Sequence, residues 1–270
     1  MNLAVPAANA ANAAIAATGR RVTIVRIVII AVILLGWEAL SLSGLLFRDV
    51  VPSLTAIGRA IGRLFANADF YANLGITVGE IGVGLLIGGV CGLATGILLG
   101  ANRFLSRAYE SFIYYLGPTP KIIFFPVMIM WFGVGSGSEI AMGVVSCFFP
   151  IAISAASGMR QIDRVLILVG KSFRASTWQM VSKIYLPAMR DPVVNGVRLG
   201  LGVALIGTLL AETKLSNRGM GYLIIQAYST FDMPKMYALL IVLFVLAIGA
   251  NALIGRLNRG DMRSRLLPPP

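Results

Sequence analysis

The stretch GVGLLIGGVCGLATGILLG, residues 82–100, decides the fold class of this chain. It contains no charged residue and extends an apolar run over 74–100, and a helix needs roughly 20 apolar residues to cross about 30 Å of hydrocarbon. Such a run predicts a membrane-spanning helix. Glycine recurs at every fourth position, at Gly84, Gly88, Gly92, Gly96 and Gly100. This glycine ridge allows close approach of another helix, either in the same chain or in a second copy.

Five further apolar runs lie on either side of this one, over 22–42, 107–134, 138–158, 192–212 and 236–256. The composition agrees with them, because the chain is 57% hydrophobic and only 13% charged, with a mean hydropathy of +0.84. The short alternating segments of an outer-membrane β-barrel are not visible. We therefore predict an all-α polytopic membrane protein with about six transmembrane helices.

The distribution of basic residues predicts the orientation of the chain. A net charge of +12 could indicate a nucleic-acid partner. With six spans and a cytoplasmic N-terminus, however, 16 of the 23 lysines and arginines fall on the cytoplasmic side. This asymmetry follows the positive-inside rule. It predicts cytoplasmic N- and C-termini, a cytoplasmic loop at 159–191, contact with membrane lipid and no nucleic-acid partner.

The two ends of the chain read differently from the apolar runs. Residues 1–21 are rich in Ala and Asn and lack a basic region before an apolar stretch, so we expect a mobile cytoplasmic tail and not a signal peptide. Residues 22–260 form the expected transmembrane domain. Residues 261–270 close on three prolines, which cannot extend a helix, and we expect a loose end there.

The residue inventory offers little catalytic chemistry. There is no histidine, and Cys91 and Cys147 fall inside apolar runs, where they act as small packing residues. No nucleophile–base pair or metal cluster is visible. A phosphate-binding GxxxxGK[ST] motif is also absent, so ATP and Mg²⁺ would have to bind to a partner. The chain is predicted to be a transport subunit and not an enzyme, with a stand-alone channel or an ion-driven carrier as the alternative.

Two apolar runs contain candidates for the wall of a transport route. The third includes GPTPKIIFFPVMIMWFGVG, residues 117–135, in which three prolines each remove a backbone donor. Membranes tolerate broken helices where protein or a water-filled cavity satisfies the freed groups. Lys121 is a functional candidate because it is ionisable, although it could equally reach the interface or pair with an acid. The other run is the fifth, 192–212, which combines several glycines with Thr208 and Glu212. The candidates in the two runs are Pro120, Lys121, Met128, Trp131, Thr208 and Glu212.

A basic segment interrupts the apolar runs: GKSFRASTWQMVSKIYLP, residues 170–187, here called the coupling segment. Its residues Ser172, Ser176, Gln179 and Lys183 share one helical face, and Phe173, Thr177, Met180 and Ile184 share the next. A short amphipathic helix in the cytoplasm either rests on lipid headgroups or docks into a groove of another protein. The pattern alone does not choose between them.

The coupling segment resembles the cytoplasmic EAA loop of permease subunits of ATP-binding-cassette importers. That loop has Glu-Ala-Ala, then a glycine, then Ile-x-Leu-Pro, and the last part is matched by Ile184-Tyr185-Leu186-Pro187. WFGVGSGSEI at 131–140, FFPIAISAASGMRQID at 148–163, GVRLGLGVALIGTLLAET at 196–213 and RGMGYLIIQA at 218–227 also resemble the family. The resemblance is strongest to its nitrate/sulfonate/taurine branch, whose relatives also import vitamin precursors or aromatic acids.

Three features depart from the family pattern. Leu168, Val169 and Gly170 stand in place of Glu-Ala-Ala, and Arg174 stands where the family has glycine. If that glycine supplies a left-handed turn, a side chain there costs about 1–2 kcal/mol. Glu80 occupies a position where the branch often has a basic residue.

The resemblance implies a type I importer permease fold in a bacterial inner membrane. It implies a second permease copy, most simply in a homodimer, two ATPase subunits and a periplasmic substrate-binding protein. In the family a short helix of the loop, here 174–184, inserts into the ATPase subunit. The residues that would couple to the ATPase are Phe173, Arg174, Ala175, Ser176, Thr177, Trp178, Gln179, Met180, Lys183, Leu186 and Pro187. The implied solute is a small anionic or polar organic molecule.

Overall fold

The computed structural model describes the backbone of residues 4–44 and 50–265 and the side chains within 21–44 and 50–256. In these residues the regular structure is helical, without strands. The helices are α1 (Ala4–Leu42), α2 (Leu54–Phe65), α3 (Ala68–Ala101), α4 (Arg103–Leu116), α5 (Phe125–Phe132), α6 (Ser136–Arg160), α7 (Arg164–Ser172), α8 (Thr177–Met180), α9 (Leu186–Ala188), α10 (Arg190–Leu215), α11 (Met220–Ser229) and α12 (Met233–Arg265).

Five helices in the described part of the chain are long and apolar enough to cross a membrane. They include the predicted first, second, fourth, fifth and sixth runs, and they cover Arg21–Leu42, Ala68–Ala101, Ser136–Arg160, Arg190–Leu215 and Met233–Arg256. The predicted third run is a pair of helices, Arg103–Leu116 and Lys121–Phe132, bent by 94° with respect to each other. The prediction of six apolar runs with a broken third one is thus confirmed.

The prolines explain where the third run bends. α4 ends at Leu116, and the chain continues through Gly117, Pro118 and Thr119 to Pro120, where a 3₁₀ turn over Lys121–Phe124 leads into α5. A residue that precedes proline is disfavoured in the helical conformation, so two X-Pro steps in succession stop the helix. Pro126 was expected to disturb its turn as well. It lies in the first turn of α5, where no intrahelical donor is lost.

α3 and α6 pack in parallel along the glycine ridge. A Cβ atom at Gly84 would lie 3.3 Å from the carbonyl oxygen of Ile140, and one at Gly96 would lie 2.5 Å from that of Ala152. Both helices therefore run in the same direction with their backbones in close contact. The ridge is an intrachain contact, one of the two possibilities that the sequence left open. Because parallel helices need a return between them, the bent pair α4–α5 must carry the chain back across the bundle.

α10 packs antiparallel against α6, again through small residues. A Cβ atom at Gly196 would lie 2.7 Å from Cβ of Ser154, and one at Gly200 would lie 2.7 Å from Cδ1 of Ile151. α6 is therefore the central helix, between α3 and α10. We call the end of the bundle at which α6 begins the outer end and the opposite end the inner end, following the orientation that the basic residues predict.

α2, α11 and the first part of α12 form a second layer at the outer end. The apolar face of α2 packs with α11 and α12 in a cluster that includes Ile57, Phe70, Met220 and Leu239. α1 lies at the edge, where Trp37 contacts the ring of Tyr237 edge-on at a centroid distance of 5.2 Å.

Helical residues extend into both segments that we expected to be loose, and the mobility of these segments stays a prediction. α1 is helical from Ala4 onward, which agrees with the high helix propensity of its alanines. α12 continues through Arg265, so part of the expected loose end 261–270 is helical. Residues 1–3 and 266–270 lie outside the described residues.

Candidate functional site

The coupling segment begins with a left-handed turn at Arg174. α7 ends at Ser172, and Arg174 follows with a φ of 51°. The backbone N–H of Arg174 donates to the carbonyl of Lys171 at 2.9 Å, and that of Ala175 donates to the carbonyl of Gly170 at 3.0 Å. These two bonds form a Schellman motif, whose left-handed position usually holds glycine. The left-handed turn considered for the family glycine is therefore present, with arginine in that position.

The helix of the coupling segment begins later than predicted. We expected residues 174–184, whereas α8 starts at Thr177 with Ser176 as its N-cap. Ser176 Oγ accepts from the N–H of Gln179 at 3.3 Å, and Gln179 Oε1 accepts from the N–H of Ser176 at 2.8 Å, which makes a capping box. The helix continues through a π turn over Val181–Tyr185 into α9. The capping box and the strained turn before it explain the shifted start.

One contact folds the coupling segment on itself, and another joins it to the bundle. Met180 is 7% exposed and, together with Ile184, lies against Gly170, where a Cβ atom would be 2.5 Å from Met180 Sδ. Glycine at 170 thus permits the close packing of α7 on the next helix within the segment. Near the end of the segment, Tyr185 packs against a cluster of buried residues of the inner end: Ala155, Met159, Ile162 and Met189. This cluster joins the coupling segment to α6.

The opposite face of the coupling segment is free in the single chain. Phe173 is 83% exposed and Trp178 is 76% exposed, with the exposed Arg174 between them. Among the other predicted coupling residues, Ser176, Thr177, Gln179, Lys183 and Pro187 are exposed, Ala175 and Leu186 are half-buried, and Met180 is buried. Large apolar side chains exposed together outside the spans are typical of a protein-binding surface.

Lys121 lies at the bend between α4 and α5. Its Nζ donates a hydrogen bond to the carbonyl of Gly117, one of the acceptors freed where α4 ends, and lies 5.2 Å from the ring centroid of Phe149. Among the described side chains the ion pair is Arg160–Glu110 at 2.6 Å, so Lys121 is not paired with an acid there. Among the described groups, the Lys121 ammonium is thus stabilised by the carbonyl of Gly117 and the ring of Phe149.

The other predicted route residues separate into two groups. Pro120 and Trp131 are exposed on the chain surface, and Lys121 is half-buried beside them. Met128, Thr208 and Glu212 lie in the interior: Met128 packs with Phe125 and Met142, and Thr208 and Glu212 have no exposed area. In this conformation these three side chains do not reach the surface that a second copy could share.

Glu212 instead anchors the connection between α10 and α11. Its Oε1 accepts from Thr77 Oγ1 at 2.6 Å, and its Oε2 accepts from the N–H of Gly221 at 2.5 Å. Thr77 Oγ1 also accepts from the N–H of Met220 at 2.8 Å. Gly219 precedes α11 with a φ of 95°, where a Cβ atom would collide with the Glu212 carboxyl. Sequence reasoning did not find Thr77 or this anchoring role.

Two further acids, Glu80 and Glu139, are buried near Glu212. Sequence reasoning noted Glu80 only as a departure from a pattern and did not select Glu139. The available signal was an acidic residue inside an apolar run, which is rare in membrane helices.

Parallel and antiparallel membrane helices around one central helix, a broken span and a helical loop at the inner end define the type I importer permease fold. The chain belongs to the family described as binding-protein-dependent transport system inner membrane component, whose model matches residues 84–260. It is a permease subunit of an ATP-binding-cassette importer.

Similar proteins are known from several organisms. The chain is 28% identical over 235 residues to the aliphatic sulfonates transport permease protein SsuC of Bacillus subtilis, covering 87% of this chain and 85% of that protein. It is 28% identical over 215 residues to the taurine transport system permease protein TauC of Escherichia coli, covering 78% of each. A solved structure of the MetNI methionine ABC transporter in an inward-facing conformation matches with a TM-score of 0.63 and 21% identity, over 70% of this chain and 94% of the matched chain. That likeness supports the fold.

Proposed function

We propose that two copies of this chain form the route of an importer for a small organic anion, and that each copy binds one ATPase subunit through its coupling segment. A periplasmic binding protein would deliver the solute. The observation that carries the proposal is the exposed pair Phe173 and Trp178 on a segment that is joined to the inner end of the bundle through Tyr185.

The structure of the coupling segment suits the transmission of movement. Its outward face offers two aromatic side chains and a cation, which can insert into a cleft and pair with an acid. Its end at Tyr185 packs on the buried cluster that includes Ala155 and Met159 of α6, so a displacement of the segment can be passed to that helix. A helix that only rested on lipid headgroups would place its apolar side chains toward the membrane and not away from the bundle.

The surface around Pro120, Lys121 and Trp131 is the best candidate for the wall of the route. It combines an exposed broken helix with a cation that has no acidic partner among the described side chains. An anionic solute would be attracted to such a site. Relatives named for aliphatic sulfonates and taurine support a solute with a sulfonate or similar anionic group.

The orientation follows from packing and charge together. Because α3 and α6 are parallel, the bent pair is one crossing, and six crossings place both termini on the same side. The excess of basic residues assigns that side to the cytoplasm, with the chain in a bacterial inner membrane.

The test is Trp178→Asp in the purified importer reconstituted with its ATPase and binding protein. An aspartate removes the aromatic anchor and adds a charge to a surface that would be desolvated, so ATPase retention on the tagged permease and solute-stimulated ATP hydrolysis should both fall at least tenfold. Tyr228→Asp makes the same change at an exposed aromatic of α11, far along the chain from the coupling segment, and should leave ATPase retention intact. Full retention and stimulation in Trp178→Asp would reject the assignment of this surface.

A further inference from the structure

The outer end of the bundle contains a carboxyl cluster formed by Glu80 of α3, Glu139 of α6 and Glu212 of α10. Their side chains are 3%, 1% and 0% exposed. Glutamate is rarely buried to this degree unless it is paired. The cluster arises from the helix packing, because Gly84 contacts α6 at Ile140 and Gly143 contacts α10 at Thr208, one turn from these glutamates. The spans α3, α6 and α10 therefore each place one glutamate in the same region of the outer end.

One member of the carboxyl cluster is well satisfied. Glu212 accepts hydrogen bonds from Thr77 and from the N–H of Gly221, in the first turn of α11. Amide donors at a helix N-terminus stabilise a negative charge. Both carboxyl oxygens of Glu212 therefore have a hydrogen-bond donor where they lie.

The other two members are not satisfied. Neither carboxyl oxygen of Glu80 has a hydrogen-bond partner, and Oε2 of Glu139 has none. The Glu80 carboxyl is nevertheless adjacent to the carboxyls of Glu139 and Glu212 and to Ser136. Buried acids of α3, α6 and α10 are therefore adjacent to one another, whereas a salt bridge would pair an acid with a basic residue. Burying even one unpaired carboxylate is strongly unfavourable, and a second beside it adds repulsion.

Nearby positive charge does not balance the cluster. Arg218, in the connection between α10 and α11, acts on Glu139, but its side chain is exposed and its Nε donates to Asn217 Oδ1 at 3.4 Å. A metal ion is not supported either, because the described residues contain no group of His, Cys, Asp or Glu arranged to hold one. A proton needs no further space and would turn one of the two unpartnered carboxyls into a hydrogen-bond donor.

We propose that Glu80 and Glu139 together bind one proton, and that this proton joins the outer ends of α3 and α6 next to Glu212 of α10. In the bound state one carboxyl is a carboxylic acid, and a small side-chain rotation lets its O–H donate to the neighbouring carboxylate. The proton comes from water when the outer end closes and returns to water when it opens. Without it, adjacent carboxylates repel one another and favour separation of the three helices.

The first test is infrared spectroscopy of the purified chain in a detergent without ester groups. A protonated carboxyl has a carbonyl stretch that a carboxylate lacks, and this band should be present at neutral pH. It should disappear in both Glu80→Gln and Glu139→Gln. Glu38→Gln is the matched control, because Glu38 is an acid of α1 that accepts from the N–H of Leu54 at 2.8 Å, outside the cluster; it should keep the band.

The second test measures stability against pH. A folded chain that holds a proton which the unfolded chain has released loses stability as pH rises, by up to tenfold in the folding equilibrium per pH unit. The effect starts above about pH 5, where unfolded glutamates carry no proton. The melting temperature of the wild-type chain should therefore fall as pH rises through neutrality, and that of Glu80→Gln should fall less.

Absence of the carboxylic-acid band in the wild-type chain would overturn the proposal, as would an unchanged band in both Gln variants. If one variant does not fold, the wild-type spectrum and its pH titration still decide. Neither measurement requires the ATPase, the binding protein or a solute, so the result is independent of the proposed function.

Discussion

The glycine ridge gives the sharpest prediction about the fold, tested by Gly96→Ala. The new Cβ atom would lie 2.5 Å from the carbonyl oxygen of Ala152, 2.5 Å from Cβ of Ala155 and 3.0 Å from the N atom of Ala156. Two of these are backbone atoms of α6, which cannot rotate away. Overpacking of this kind costs about 1–3 kcal/mol. The gain in helix propensity returns about 0.5–1 kcal/mol, so the midpoints of the two ranges give an expected net loss of roughly 1 kcal/mol.

The matched control is Gly79→Ala on the exposed side of the same helix. A Cβ atom there meets no atom within 4 Å, so the substitution should stabilise the chain by about 0.5–1 kcal/mol. By the scaling known for domains of similar size, thermal unfolding should shift down by roughly 2–4 °C in Gly96→Ala and up by roughly 2 °C in Gly79→Ala. The same substitution thus has opposite signs on two faces of one helix. Equal shifts in the two variants would refute the close parallel packing of α3 on α6.

Three further predictions concern orientation, strain and the route. A cysteine at Ser176 should react with a membrane-impermeant thiol reagent only from the cytoplasm, and one at Ser216 only from outside; the reverse pattern would refute the proposed topology. Arg174→Gly should raise the stability of the purified chain in thermal unfolding by about 0.5 kcal/mol, because glycine relieves the left-handed conformation. Lys171→Gly removes the same charge in a regular helix and should lower the stability by about 1 kcal/mol. Equal effects of the two substitutions would contradict this. Lys121→Gln should reduce solute uptake in proteoliposomes severalfold with basal ATP hydrolysis intact, while Lys121→Arg keeps uptake; unchanged uptake in Lys121→Gln would remove this residue from the route.

The spans could be predicted from sequence because hydrocarbon imposes one requirement on each of them separately. A run such as 192–212 has to be apolar whatever its neighbours are. The break in the third run was equally accessible, since Pro118 and Pro120 act on the backbone locally. These features depend on residues close together in the sequence.

Features that depend on pairing could not be predicted in the same way. The glycine ridge predicts a close helix contact, but nothing within 84–100 specifies α6 as its partner. Thr208 and Glu212 resembled polar residues of a route, and only the packing of α10 against α3 and α6 shows that they face inward. The start of α8 was predicted wrongly because the prediction used only the residues that share a helical face. It did not consider that Ser176 and Gln179 form a capping box, which is a local signal for the start of a helix.

At the glycine ridge α3 contributes no side chains to its contact with α6, and this has a mechanical consequence. Side chains on both helices of an interface can adjust by rotamer changes, whereas the glycine backbone of α3 cannot. From Gly84 to Gly100 this contact extends about 24 Å, at 1.5 Å per residue. A tilt imposed on α6 at its inner end is therefore expected to take α3 with it. Movement of the cluster that anchors the coupling segment would then reach the outer end, beside Glu80 and Glu139, as a movement of both helices together.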